Sequence, residues 1–222
     1  MKDQTFDALV AERGFDVLEV ATNAEHKAKP YHSFRIREAC VSDMYHASLA
    51  AAKTGGLFPL ELIGKTVDCP FEVVLRSPSR ALWPIAKWKK AALQAALRDA
   101  DLESAALEAD DFLSDEDALA AAAEARPDEA EFELKRPFEH KGASVVSVAL
   151  RAPTIAAHKK IAALAKGDPN AALNDPTLPV KAMMVMIEEC SDLNRLQVAA
   201  LSEVDAKVCE AWLTPFFAQP QI

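Results

Sequence analysis

Glycine is scarce in this sequence: there are six in 222 residues, too few and too scattered to cradle a phosphate. Neither G-x-x-x-x-G-K-[ST] nor G-x-G-x-x-G occurs, so the common nucleotide-holding loops are excluded. G-x-S-x-G and H-E-x-x-H are absent too, which removes the usual serine-hydrolase elbow and the zincin helix. Cysteine is limited to Cys40, Cys69, Cys190 and Cys209, with no C-x-x-C pair and no neighbouring histidine to complete a zinc pattern. Such cysteines read as small buried thiols in a reducing compartment. Basic residues are outnumbered, 25 Lys and Arg against 34 Asp and Glu, giving a formal charge of −9. That balance argues against a nucleic-acid partner and against docking on anionic lipid. No apolar run approaches the roughly 20 residues a membrane helix needs. Asp3, Asp7, Glu12 and Asp16 stand where a signal peptide would be hydrophobic. The expectation is a soluble, cytoplasmic protein with no membrane contact.

What the chain does have is a core. Half of its residues are hydrophobic, enough for one large domain or two small ones. Phe6, Leu9, Val10 and Arg13 fall at helical spacing, with Gly14 as the residue that ends the helix. "FDVLEV" alternates like a strand, "ATNAEHKAKPY" reads as a polar loop, and "HSFRIREA" alternates again, with Phe34 and Ile36 on one face. "VSDMYHASLAAAKTGG" is a helix capped by Ser42 or Asp43 and stopped at Gly55-Gly56. A second cycle begins at Phe58: "LELIGKTVDCPFEVVLR" reads as two strands around Gly64-Lys65, with Phe71, Val73 and Leu75 on one face. A helix follows with Ser79 as its cap. Pro84 is tolerated only near a helix start, which places the true start a few residues later.

Residues 99–133 carry a long acidic run opposed by Arg126 alone, with alanine-rich stretches that favour helix. A run of this kind is ordinarily a solvated face or spacer. "ARPDEAE" reads as a linker, so the chain divides into an N-terminal part, 1–126, with an acidic helical tail, and a C-terminal part, 127–222. In the latter, "EFELKRP" is a strand, "FEHKG" a turn and "ASVVSVALR" a strand with Val146, Val148 and Leu150 on one face. Thr154 caps a helix that Gly167 ends, and "DPNAALNDPTLP" is a loop. Val180, Met183, Met184 and Ile187 then recur at i, i+3, i+4 and i+7 as one apolar stripe. Ser202 caps the last helix with Asp205 at its third position, and Pro215 stops it. Fold class is therefore α+β: two modules of β-hairpin followed by helices, read as diverged repeats of one unit.

Two stretches share the pattern V-x-L-R-x-P-[ST]: Val73 to Ser79, and Val148 to Thr154. Proline keeps the residue before it extended, and the following hydroxyl accepts from the free N–H groups of a first helical turn. Leu75, Arg76, Pro78 and Ser79, like Leu150, Arg151, Pro153 and Thr154, thus read as a strand-to-helix switch, with no chemistry of their own. Ile36 to Ser42, "IREACVS", is a degenerate version that keeps the arginine and lacks the proline.

Catalytic candidates are thin. His26, His32, His46, His140 and His158 lie apart, and Asp43 with His46 shares at most a surface helix face. "DPNAALND" lacks calcium-loop spacing. No cofactor, no metal and no enzymatic activity are expected. The methionine stripe is soft and adaptable, the kind of surface that accepts varied apolar helices, although ordinary core packing is the favoured reading of such a stripe.

Leu134, Pro137, Gly142, Leu150, Arg151, Pro153, Thr154, the helix around Met183 to Cys190 and "LSEVDAKVCEAW" follow a familiar layout. Over about residues 130–217 the sequence resembles the phage tail assembly chaperone family of Mu-like and P2-like phages. Family members usually carry Glu after the junction arginine, where this chain has Ala152. The resemblance implies a small non-enzymatic protein that binds the tape measure protein before the tail tube polymerises, with the tail tube protein as a further possible partner. On that reading Val180, Met183, Met184 and Ile187 are the expected partner-binding residues. The rival reading is a structural baseplate or tail-hub component, which stoichiometric recovery from purified particles would identify.

Overall fold

The computed structural model describes residues 5–102, 123–165 and 175–218. It is an α+β fold with two antiparallel two-stranded hairpins and a set of helices around them. Helix α1 (Phe6–Arg13) is capped by the Thr5 hydroxyl and closed by Gly14 at φ 59°. Strands β1 (Val17–His26) and β2 (Lys29–Arg37) form the first hairpin. Most of the stretch read as a polar loop, 21–31, is therefore strand. Its two-residue turn is Lys27-Ala28, at φ 49° and 59°. Such a turn normally announces itself by Asn-Gly or Gly-Gly, and Lys-Ala carries no such mark.

After α2 (Val41–Thr54) the expected second hairpin is absent. The chain forms α3 (Phe58–Thr66) and α4 (Phe71–Arg76). Pro59 stands in the first turn of α3, where its missing N–H costs nothing. Leu62, Ile63 and Thr66 then share one buried face at helical spacing. Gly64 lies under the Phe71 ring, where a Cβ would come within 2.9 Å. Val73 and Val74 are both buried while Leu75 is exposed, an arrangement a two-residue period cannot give. The junction Leu75, Arg76, Pro78, Ser79 therefore leaves a helix rather than a strand. Ser79 makes no capping bond but opens a 3₁₀ turn (Ser79–Leu82), and α5 (Trp83–Asp99) follows with Pro84 in its first turn.

The second hairpin joins β3 (Glu129–His140) to β4 (Ala143–Arg151) through Lys141-Gly142, at φ 52° and 80°. The five-residue turn expected at Phe138–Gly142 is thus a two-residue one. Val148 and Leu150 are buried as expected, but Val146 is 56% exposed. It lies at the register shift itself, between Ser147, which pairs with Glu133, and Val145, which pairs with Phe138. The second junction holds. Pro153 follows the strand, and the Thr154 hydroxyl accepts from Ala157 N at 3.3 Å to cap α6 (Ile155–Leu164). Arg151 reaches Asp192 at 2.7 Å. The expected stop at Gly167 and most of the loop after it fall outside the described residues, as does most of the acidic run.

Helix α7 (Leu178–Cys190) is followed by α8 (Arg195–Ala200), which Asn194 and Gln197 cap reciprocally. The last helix, α9 (Glu203–Ala218), starts at the Ser202 cap as expected, its hydroxyl accepting from Asp205 N at 3.0 Å. Pro215 does not stop it. Proline at that position leaves the carbonyl of Ala211 without its helical donor. The guanidinium of Arg126 supplies one, donating to Ala211 O at 2.8 Å and also to Trp212 O. Arg126→Ala should cost about 2 kcal/mol, because it leaves the part-buried Ala211 carbonyl unsatisfied and removes a charge-assisted bond to Trp212 O. Pro215→Ala restores an N–H for Ala211, so a double-mutant cycle followed by urea unfolding should show the two losses to be non-additive.

The larger core draws on both sides of residues 126–131. Val41, Met44 and Ala47 of α2 and Leu97 of α5 pack with Leu150, Ile187, Val198 and Leu213. A smaller core holds Val20, Phe34, Ile36, Ile63, Val73 and Ile85. Backbone bonds also cross between the halves: Val41 N donates to Leu201 O at 2.9 Å, and Glu203 N to Ala39 O at 2.7 Å.

Candidate functional site

The methionine stripe offers no surface. Val180, Met183, Met184 and Ile187 are 6%, 1%, 5% and 0% exposed. Helix α7 touches α2, α6, α8, α9 and β4, so the stripe is covered by the rest of the fold. Met186 is buried as well, which makes α7 apolar around more than one face. The four residues expected to bind a partner are brought together, in the core.

An open apolar surface lies instead between α5 and α9. Trp88, Ala92 and Leu93 of α5 face Val204 of α9 across a groove of about 230 Å³. Its rim is charged, with Asp16, Glu38, Lys89, Lys90, Glu203 and Lys207. Lys89 bonds Glu203 at 2.7 Å and so ties the two helices at one side. The volume falls below the roughly 300–1,000 Å³ of small-molecule sites, and nothing in the floor selects a polar ligand. An apolar floor with a rim carrying both signs of charge suits side chains of a docked polypeptide.

The groove rests on a buried polar cluster. Arg136 bonds Glu38 at 2.8 Å and also reaches Asp16. Asp205 accepts from Lys135 N at 2.7 Å, Arg136 N at 3.2 Å and the Ser202 hydroxyl at 2.8 Å. Burial pushes both Glu38 and Asp205 above their ordinary values, and the surrounding donors offset only part of that cost. The cluster's task is positional: Asp205 satisfies N–H groups of β3 at the point where its pairing with β4 is interrupted.

Other candidates disperse. Asp43 pairs with the buried Arg37 at 2.8 Å rather than with His46. Despite burial, the Arg37 guanidinium holds the Asp43 carboxyl below its ordinary value. The His158 and Phe217 rings meet at a tilt with centroids 4.7 Å apart, and those of Trp212 and Phe216 at 5.0 Å, so the C-terminal aromatics dock on the body. The cysteines are unpaired, and burial pushes Cys69 and Cys190 to about 11 and Cys209 to about 12, far from thiolate chemistry. Among the described residues no group of three His, Cys, Asp or Glu side chains can hold a metal ion, and no helix is long and apolar enough to cross a membrane.

Sequence reasoning missed the groove because its two walls come from helices more than a hundred residues apart. The only local signal was the pairing of Trp88 with Ala92 at i, i+4. Residues 131–218, from β3 through α9, match the family model described as "Phage tail assembly chaperone proteins, E, or 41 or 14". The resemblance read over the C-terminal part is therefore shown. No curated protein and no solved structure matches the chain.

Proposed function

We propose, from a C-terminal part that matches the tail assembly chaperone family, that this protein is a non-enzymatic chaperone acting in the host cytoplasm on the tape measure protein. A tape measure protein is helical and carries apolar faces until the tail tube encloses it. The α5–α9 groove supports this reading, since an apolar floor and a charged rim occur together there. An amphipathic helix laid on it would bury its apolar side chains against Trp88, Leu93 and Val204 and leave its polar face wet. The net charge of −9 keeps such a complex soluble. The tail tube protein is a further candidate partner on this reading.

Leu93→Glu tests it. Leu93 is half-buried at the groove wall, so the charge enters the floor without being forced into the core. Co-expression with the tape measure protein and affinity capture should show recovery reduced at least about ten-fold, as for loss of a central interface contact. Unchanged recovery with a native circular dichroism spectrum would overturn the assignment of the groove.

A further inference from the structure

The two halves follow one plan. Each has a hairpin, two helices, a six-residue helix and a long helix: β1, β2, α2, α3, α4, α5, and then β3, β4, α6, α7, α8, α9. Correspondences run down to single residues. Glu25-His26-Lys27 and Glu139-His140-Lys141 enter the two hairpin turns, and each turn holds two residues at positive φ. Ser33 bonds Glu19 and Ser147 bonds Glu131, both at 2.6 Å. Ile36 bridges Val67 just after α3, and Leu150 bridges Ser191 just after α7. The next residues, Asp68 and Asp192, each receive an arginine from the second strand. Helices α4 and α8 end alike, at Ser77 with ψ 145° and Leu201 with ψ 144°. Trp88 and Trp212 then fall at the same place in the long helices. In this alignment Leu150-Arg151 corresponds to Ile36-Arg37, and Ser77-Pro78-Ser79 to Leu201-Ser202-Glu203. The shared V-x-L-R-x-P-[ST] pattern is thus a coincidence between non-equivalent places.

The joint between the halves uses one copy of each surface. Ala39-Cys40-Val41 of the first half lies antiparallel to Leu201-Ser202-Glu203 of the second, with Cys40 opposite Ser202. Its two backbone bonds are Val41 N to Leu201 O and Glu203 N to Ala39 O. The counterparts are not joined. Pro153-Thr154-Ile155 presents Ile155 at 77% exposure where Val41 is fully buried. Pro78 and Ser79 are exposed, beside Leu75 at 57% and Trp83 at 69%. The prolines do not obstruct the same pairing. Pro153 takes the place of Ala39, which offers only its carbonyl, and Pro78 that of Ser202, whose N–H the joint does not use. The N–H groups needed are those of Ile155 and Ser79, each in a first helical turn where no helical acceptor exists.

We infer that the chain is a tandem duplication with its internal joint half-used at each end, and that a second copy completes it head to tail, Pro153–Ile155 of one protomer pairing with Ser77–Ser79 of the other. The contact is heterologous, so it closes a ring of protomers or continues as an open array, according to the rotation per step. It does not involve the α5–α9 groove, and its failure leaves the chaperone reading standing.

The test has two arms on the full chain. In the bridge the opposed pair is Thr154 with Pro78, a non-hydrogen-bonded pair whose Cα atoms approach to about 4.5 Å, close enough for a disulfide. Thr154→Cys and Pro78→Cys proteins, mixed and oxidised, should yield a covalent dimer that neither variant yields alone. The native chain should show a mass rising with concentration in sedimentation equilibrium. Ile155→Glu, whose charge sits in a first helical turn that tolerates it, should weaken that association at least about ten-fold. A monomer mass at all concentrations, no cross-link in the mixture, or association untouched by Ile155→Glu would each overturn the inference.

Discussion

Met184→Asp unfolds the protein. Met184 is 5% exposed, on a helix contacted by α2, α6, α8, α9 and β4, so a carboxylate there has neither water nor a cation to meet. Losing the methionine side chain alone costs about 2–5 kcal/mol. An unpaired buried charge adds several more, and the sum reaches the roughly 5–15 kcal/mol that holds a domain together. Met184→Leu, which conserves volume, should cost less than about 1.5 kcal/mol. Thermal unfolding followed by circular dichroism separates the two. A Met184→Asp protein with a native melt that merely lost its partner would mean the stripe is a docking face after all.

The second large effect is at Asp205. Its carboxylate accepts from Lys135 N and Arg136 N, the backbone groups that the β3–β4 ladder abandons between Glu133 and Phe138. Asp205→Ala leaves both N–H groups without an acceptor and removes an anion next to Arg136, for a loss of about 3 kcal/mol. Asp205→Asn should recover only part, because an amide has one acceptor oxygen where two are used. Urea unfolding measures both, and hydrogen exchange at Lys135 and Arg136 should accelerate in the alanine variant. Unchanged stability would mean that water replaces the carboxylate and that the interrupted stretch of β3 does not depend on α9.

Particular elements show what was legible. Helix α1 with Gly14, α2 with its glycine stop, the β3–β4 hairpin, the Thr154 cap and the Ser202 cap follow from local pattern, because each is decided by groups within a few residues. The amphipathic period of α7 was legible too, but period says only that a face is apolar. It does not say whether protein or partner covers it. The reading failed where the deciding group was distant. Val73 and Val74 look like strand until the smaller core buries both against β1 and β2. Lys27-Ala28 reads as loop because the turn is imposed by its strands rather than by its own residues. Pro215 reads as a stop because the donor that lets the helix continue, Arg126, lies 85 residues from the Ala211 carbonyl it serves.

By itself the sequence determined that this is an acidic α+β chain of hairpins and helices, lacking the common catalytic and nucleotide motifs, whose C-terminal part resembles a tail assembly chaperone. Those properties are sums over composition or patterns of short range. Only the tertiary structure decided that the methionines are core and that α5 and α9 frame an apolar groove. It alone paired Ala39–Val41 with Leu201–Glu203 and left Ile155 and Ser79 exposed. Burial is a property of what packs against a residue, and those neighbours come from the far end of the chain.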